Sequence, residues 1–307
     1  MIEINCGSVS GEYRFVAHTP GVENSERALT GWCRNLITDN GLDLMGNSSG
    51  WVRFCSVGSG ASTPAASDVA LDSRIATSSP GSVYVSANAT SYYSELLATY
   101  TFAQGATAGN LSEVGVGPNN DGTSLYSRAL IVDSDGDPTT ITVQPIEVLT
   151  VQYRLRLYRN VADREGTIVD GATTYATLSR PADINFGGGA LRDWHAMGVW
   201  QGGADLRLGL AATQTLGAVT GYPSGNTEQG GFTASVAPYT TGSHYRDCTF
   251  SFPQDQGNIS GGIGAVSYMG GNSLVLGTQI SFTPKIAKDS TKTLALVIRA
   301  SWGRHTP

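Results

Sequence analysis

Apolar and polar positions alternate strictly in two stretches of the chain. Over 151–158, Val151, Tyr153, Leu155 and Leu157 share one side, and Gln152, Arg154, Arg156 and Tyr158 share the other. Near the C-terminus Leu294, Leu296, Ile298, Ala300 and Trp302 repeat the pattern, with Arg299 and Ser301 outward. Strand side chains point to alternate faces, so both runs predict half-buried strands. A β-rich segment and a turn precede each run, at 139–143 and 279–283, which predicts that each run closes a strand pair. Asn119-Asn120-Asp121-Gly122 and Asp133-Ser134-Asp135-Gly136-Asp137-Pro138 read as turns, because Asp-Gly supplies positive φ at little cost.

One short helix is expected over 25–37, with Asn24 or Ser25 as N-cap and Leu29, Trp32, Cys33, Leu36 and Ile37 on one face. From 186 to 277 glycine is dense and aperiodic, yet Trp194, Trp200, Tyr222, Phe232, Tyr239, Tyr245 and Tyr268 are interleaved with it. Disordered chains lack such large apolar groups, so this region reads as strands joined by long ordered loops. The pattern predicts an all-β chain of two successive β-sandwich-like domains. The first, 1–160, carries an N-terminal strand and the helix; the second, 161–307, is Gly-rich; a charged segment at 160–165 divides them.

Composition narrows the classes of function. Charged residues are 14% of the 307, against roughly 25% in ordinary soluble domains. A net charge of −6 without a basic block argues against nucleic acid as a partner. The N-terminal residues lack the basic and apolar regions of a secretory signal, and no apolar run approaches the ~18–20 residues that cross a bilayer. Cys6, Cys33, Cys55 and Cys248 are widely spaced, with no Cys-x-x-Cys pair. They read as reduced, buried thiols of a protein folded in a cytoplasm. Lys285, Lys288 and Lys292 are the only lysines and fall in one stretch. It reads as a solvated hairpin end that blocks edge pairing, or alternatively as a salt-bridging subunit contact.

Motifs with catalytic meaning lack their contexts. Gly46-Asn47-Ser48-Ser49-Gly50 fits Gly-x-Ser-x-Gly, but the residues after it alternate like a strand where a nucleophile elbow needs a helix. Asp193 with His195, and His244 with Asp247, place a carboxylate near an imidazole, and surface hydrogen bonding accounts for both. Asp133, Asp135 and Asp137 have the spacing of a Ca²⁺ loop, but Pro138 and the missing closing Glu favour a plain turn. No catalytic residue, cofactor or metal is expected.

Five segments carry a family resemblance. They are Asn35-Leu36-Ile37-Thr38-Asp39-Asn40-Gly41-Leu42-Asp43; the stretch 57–71, with Gly58, Gly60, Pro64, Ala65, Asp68 and Leu71; Ala98-Thr99-Tyr100-Thr101-Phe102-Ala103; Asn110-Leu111-Ser112-Glu113-Val114-Gly115-Val116-Gly117; and Leu125-Tyr126-Ser127-Arg128-Ala129-Leu130. In this order they resemble tail proteins of tailed bacteriophages, namely fibre, tip and baseplate components. The resemblance covers roughly 30–158, and the Gly-x-Gly-x-x-x-Pro-Ala-x-x-Asp-x-x-Leu stretch is its most specific part. It implies a structural tail component, folded in the host cytoplasm and built into the virion, with no catalytic residue to carry over. Its partners would be itself, as a homo-oligomer with a trimer preferred, and other tail proteins.

Physical chemistry agrees with that expectation. Few Lys side chains and a low charge leave broad neutral surfaces suited to permanent interfaces. The alternative is a glycan- or receptor-binding module at the host-facing end of the tail. In either case Trp194, Trp200, Tyr222, Tyr239, Tyr245 and Tyr268 are the candidate receptor or subunit contacts. An enzyme that cleaves glycans would need paired carboxylates, and nothing in the sequence groups any.

Overall fold

A computed structural model describes residues 1–47, 50–88, 90–182, 208–268 and 277–306. The chain forms two compact units. The N-unit comprises Val9–Ser86, Ser94–Leu157 and Arg304–Pro307; the C-unit comprises Met1–Ser8, Ala87–Tyr93 and Tyr158–Gly303. The fold is all-β and sandwich-like, with one helix among the described residues.

In the N-unit the long strand β1 (Ile2–His18), whose first residues belong to the C-unit, is paired by the two-residue strands β2 (Arg27–Ala28) and β3 (Cys33–Arg34). A second, five-stranded sheet holds β4 (Leu36–Ile37), β5 (Phe54–Gly58), β6 (Arg74–Ser78), β10 (Glu113–Gly117) and β11 (Ser127–Leu130) in the order β4-β11-β10-β5-β6. The first sheet continues from β1 through β13 (Val148–Tyr158) and β8 (Tyr93–Thr101) to β7 (Pro80–Asn88). A small ribbon pairs β9 (Gly109–Leu111) with β12 (Ile141–Val143). The two main sheets meet through tyrosines: Tyr13 of β1 shares a 2.8 Å hydrogen bond with Ser127 of β11, and the Ser127 hydroxyl lies 3.3 Å from Tyr153 of β13.

The C-unit has its own pair of sheets. One holds β14 (Arg164–Asp170), β15 (Thr173–Pro181), β16 (Leu208–Ala211), β17 (Thr227–Gln229), β20 (Ile263–Tyr268) and β21 (Thr278–Ile286) in the order β14-β15-β21-β20-β16-β17. The other runs from β18 (Thr233–Val236) through β19 (Tyr245–Phe252) and β22 (Leu294–Arg304) to the start of β1. Phe250 of β19 meets Tyr268 of β20 edge to face at 6.1 Å, which places the inner faces of the two sheets against each other.

Alternation forecast the two strongest strands correctly. On β13, Val151, Tyr153, Leu155 and Leu157 are buried, and on β22 Leu296, Ile298, Ala300 and Trp302 are. The outward face of β13 carries a charge ladder: Arg154 reaches Glu12 of β1, and Arg156 reaches Glu95 of β8 at 2.7 Å. Opposite charges on neighbouring strands support the register that the apolar face selects.

The partners of these strands differ from the expected hairpins. The segment before β13 pairs with β9, and β13 lies between β1 and β8; β21 pairs with β15 and β20, and β22 lies between β19 and β1. The strands that follow one another as β12 then β13 and as β21 then β22 are not neighbours in a sheet, because inward faces have to match across long separations.

The helix also lies elsewhere. Residues 25–37 are extended and captured by pairing to β1 and β11, while the helix α1 spans Asp39–Asn47. Thr38 caps it: its hydroxyl accepts the Gly41 amide at 2.9 Å, and Asp39 adds an acidic group to the first turn. Backbone pairing outweighed the modest helix propensity of a segment containing Thr30, Gly31 and Trp32. Lysine placement is corrected too. Lys285 and Lys292 are exposed, but Lys288 is buried, donating to Gln254 O, Asn258 Oδ1 and Asp289 O.

Candidate functional site

Segments of the tail-protein resemblance converge in the N-unit. Strand β11 places Arg128, 1% exposed, beside Glu113 of β10, which is fully buried. Arg128 donates to Asp68 at 2.6 Å, to Asp72 at 2.8 Å, to Glu113 at 2.9 Å and to the Ser62 hydroxyl at 3.0 Å. Burial alone would lower the Arg128 pKa, and the bonds to Asp68, Glu113 and Asp72 reverse that and raise it. Glu113 also accepts the amides of Gly60, Ser73 and Asp72 at 2.8–3.1 Å. Asp68 accepts the Ala65 amide and Asp72 the Ser62 amide. Bonds from Ser62, first, and then from Arg128 lower the Asp72 pKa.

The loop between β5 and β6 is thus tied down at five of its own amides. Its glycines are fitted to the lock. A Cβ on Gly60 would lie 2.4 Å from Glu113 Oε1, and one on Gly58 would lie 2.4 Å from the Ser73 carbonyl oxygen. The first segment of the resemblance joins the same sheet, since Thr38 and Asn40 donate to the Leu125 carbonyl oxygen at 2.6 and 3.0 Å. A Cβ on Gly41 would stand 2.1 Å from the Tyr126 carbonyl oxygen, so only glycine fits. Every acidic group around Arg128 is occupied by a guanidinium or an amide, which makes the cluster a clamp rather than a proton-transfer site.

The candidate aromatics of the C-unit do not form one surface. Tyr239 stacks on Trp302 at 5.8 Å, and Tyr245 lies under the Arg299 guanidinium, 3.6 Å away. Positions 299 and 302 are three apart on one strand, so these two contacts lie on opposite faces of the sheet. Arg299 is held in turn by a bidentate bond to Asp247 at 2.8 and 2.9 Å. Tyr268 is 3% exposed, and its ring belongs to the core between the sheets rather than to a loop surface. Tyr222 is half-buried in a loop shaped by Gln279, a buried side chain that sequence reading did not single out. Gln279 accepts the Gly217 amide at 2.7 Å and donates to the Pro181, Gly217 and Ala218 carbonyls at 3.1 Å. Trp194 and Trp200 lie outside the described residues, as do Ser48, Asp193 and His195.

The remaining polar chemistry is local. The Asp133 carboxylate accepts the amides of Asp135 and Asp137, closing the predicted turn on itself. Among the described residues no three His, Cys, Asp or Glu side chains are grouped so as to hold a metal ion. No helix among the described residues is long and apolar enough to cross a membrane. All four cysteines are free and buried. Burial pushes the thiols of Cys6 and Cys248 up to about 12 and raises that of Cys55 as well, so these thiols stay protonated.

An open concavity of about 540 Å³ in the C-unit is lined by Asn258, Ser260, Gly262, Lys285, Lys288 and Ser290, among others. A second, of about 560 Å³, lies over β14, β15 and β21, with Glu165 and several threonines at its wall. Comparison of this chain with protein-family models, with curated proteins and with solved structures gives no match.

Proposed function

We propose that this chain is a structural component of a bacteriophage tail, in a fibre, tip or baseplate, assembling with copies of itself and with other tail proteins. One observation supports the reading above the others. Residues from the segments that resemble tail proteins meet in one clamp, in which Asp68, Glu113 and Arg128 fix a loop through buried ion pairs and amide bonds. A motif that exists to hold a loop rigid suits a part that assembles once and then bears load. The neutral surfaces suit large permanent contacts between subunits. Folding in the host cytoplasm before assembly is in keeping with four unpaired, buried thiols.

The second reading is host attachment through the C-unit. The concavity that gathers Lys285, Ser260 and Ser290 offers hydrogen-bond donors to a surface glycan, while Lys288 at its wall is committed to Gln254, Asn258 and Asp289. Tyr239 and Tyr245 are each half-buried, but they lie on opposite faces of the sheet, so at most one of them belongs to the same glycan surface.

Depletion of the chain during particle production separates the readings. A structural component leaves tails incomplete and particle yield low. An attachment module leaves complete particles that adsorb poorly. Complete particles with normal adsorption overturn both.

A further inference from the structure

Residues 74–88 run as two strands in series at the margins of sheets. β6 ends the order β4-β11-β10-β5-β6, and β7 ends the order that passes from β1 through β13 and β8. One side of the β7 backbone therefore faces no strand among the described residues. Such an edge is a template for another strand, and proteins that remain separate blunt it with Lys, Pro, inward charges or bulges; β7 carries a proline only at its first residue, Pro80, four residues from Tyr84. Here no charged residue occurs between Arg74 and Glu95, and the only lysines lie far off in sequence at Lys285, Lys288 and Lys292. The stretch instead exposes apolar side chains: Ile75 at 42%, Val83 at 36% and Tyr84 at 68%.

The centre of β7 reads the same in both directions: Ser82-Val83-Tyr84-Val85-Ser86. If two copies pair antiparallel about Tyr84, then Tyr84 opposes Tyr84, Val83 opposes Val85 and Ser82 opposes Ser86. Every cross-strand pair is then apolar with apolar or hydroxyl with hydroxyl, and no charge meets a like charge. A slip of one residue keeps Tyr84 against a valine but sets the other valine against a serine and leaves no serine opposite a serine, so the centred register is the better matched. This self-complementarity identifies the occupant of the edge as a second copy of the same strand.

We propose that β7 is the contact through which two copies of this chain join, antiparallel and centred on Tyr84. The contact is isologous, so it closes at two copies and does not grow into a fibre. It rests on the proposed tail function only in requiring that copies of the chain meet. It is also separate from any three-fold contact, because it joins copies in pairs.

Cysteine cross-linking combined with sedimentation equilibrium tests it. Opposed Cα atoms of an antiparallel pair lie ~4.5–5.5 Å apart, within the span a disulfide bridges. Tyr84→Cys is expected to give a covalent two-copy species under mild oxidation, while Val169→Cys, at a position 69% exposed, does not. Tyr84→Lys is expected to weaken pairing about tenfold or more, since it sets two ammonium groups against each other. Circular dichroism matching the parent shows that the loss is not misfolding. If the parent forms oligomers that ignore Tyr84→Lys, or if Tyr84→Cys links no faster than Val169→Cys, the β7 contact is wrong and self-assembly stands. A parent chain that is monomeric at every concentration overturns the β7 contact together with the self-assembly beneath it.

Discussion

Arg128 donates to Glu113 at 2.9 Å where the two side chains are 1% and 0% exposed, so this ion pair of the N-unit lies out of reach of solvent. Neighbouring β-strands bring the two groups together, and the loop carrying Asp68 and Asp72 closes over them. Removing one partner of such a pair leaves an uncompensated charge in the interior. Arg128→Met is therefore expected to cost about 3–5 kcal/mol of stability. Glu113→Gln keeps an acceptor for the Gly60 and Ser73 amides and is expected to cost less. Urea unfolding of both variants checks the order, and an Arg128→Met protein as stable as the parent contradicts the clamp.

Gly41 occupies a position with no room for a side chain, its would-be Cβ lying 2.1 Å from the Tyr126 backbone oxygen. Gly41→Ala must displace either α1 or β11, because no flexible side chain can yield. The expected cost is about 1–3 kcal/mol, although alanine is the better helix former. A stabilised Gly41→Ala variant in thermal unfolding would show that the helix and β11 do not pack as described.

Acid should weaken the N-unit through Glu147. The Arg27 guanidinium, bonded to both carboxylate oxygens at 2.8 Å, holds the Glu147 carboxyl at about 2, down from the ordinary 4.5. A carboxylate with a lowered folded-state pKa adds stability that is present in full above 4.5 and is lost as pH falls towards 2. Arg27 is 45% exposed, so screening by solvent keeps the contribution to about 1–2 kcal/mol. The urea midpoints of the parent and of Arg27→Met are expected to differ at pH 6 and to converge as pH falls through this window. A difference independent of pH rules out the ion pair as its source.

Thiol reactivity should report only unfolding. Cys6, Cys33, Cys55 and Cys248 are all 2% exposed or less. A thiol-exchange reagent at pH 8 is expected to leave the native protein unmodified and to titrate all four groups after denaturation. Rapid labelling of the native state would mean that one of the two cores is open.

Much of the fold was legible where one face of a strand is buried and the other wet, as at Val151 to Leu157 and at Leu296 to Trp302. Period-2 alternation is a local property, and sequence carries it in full. Partner choice is not local. Nothing near Ile141 reveals that it pairs with Leu111, or near Phe282 that it pairs with Thr177. The helix was misplaced because Asp39, Asn40 and Gly41 look like a turn, and only the packing of Gly41 on Tyr126 makes glycine necessary there.

The clamp was half legible. Asp68, Glu113 and Arg128 each stand inside a segment of the tail-protein resemblance, yet no spacing rule links charges so far apart in the chain. Lys288 was misread for a related reason: a lysine in a hairpin is ordinarily solvated, and its burial depends on carbonyls from Gln254 and a side chain from Asn258.

The central claim, that this chain is built into a phage tail, is tested most directly by an electron-microscopy reconstruction of the intact particle. The account predicts density in the tail into which the N-unit and the C-unit each fit, with the β5–β6 loop ordered over Arg128 in every copy. A particle whose complete tail is accounted for by other polypeptides, with no density for either unit, would contradict it.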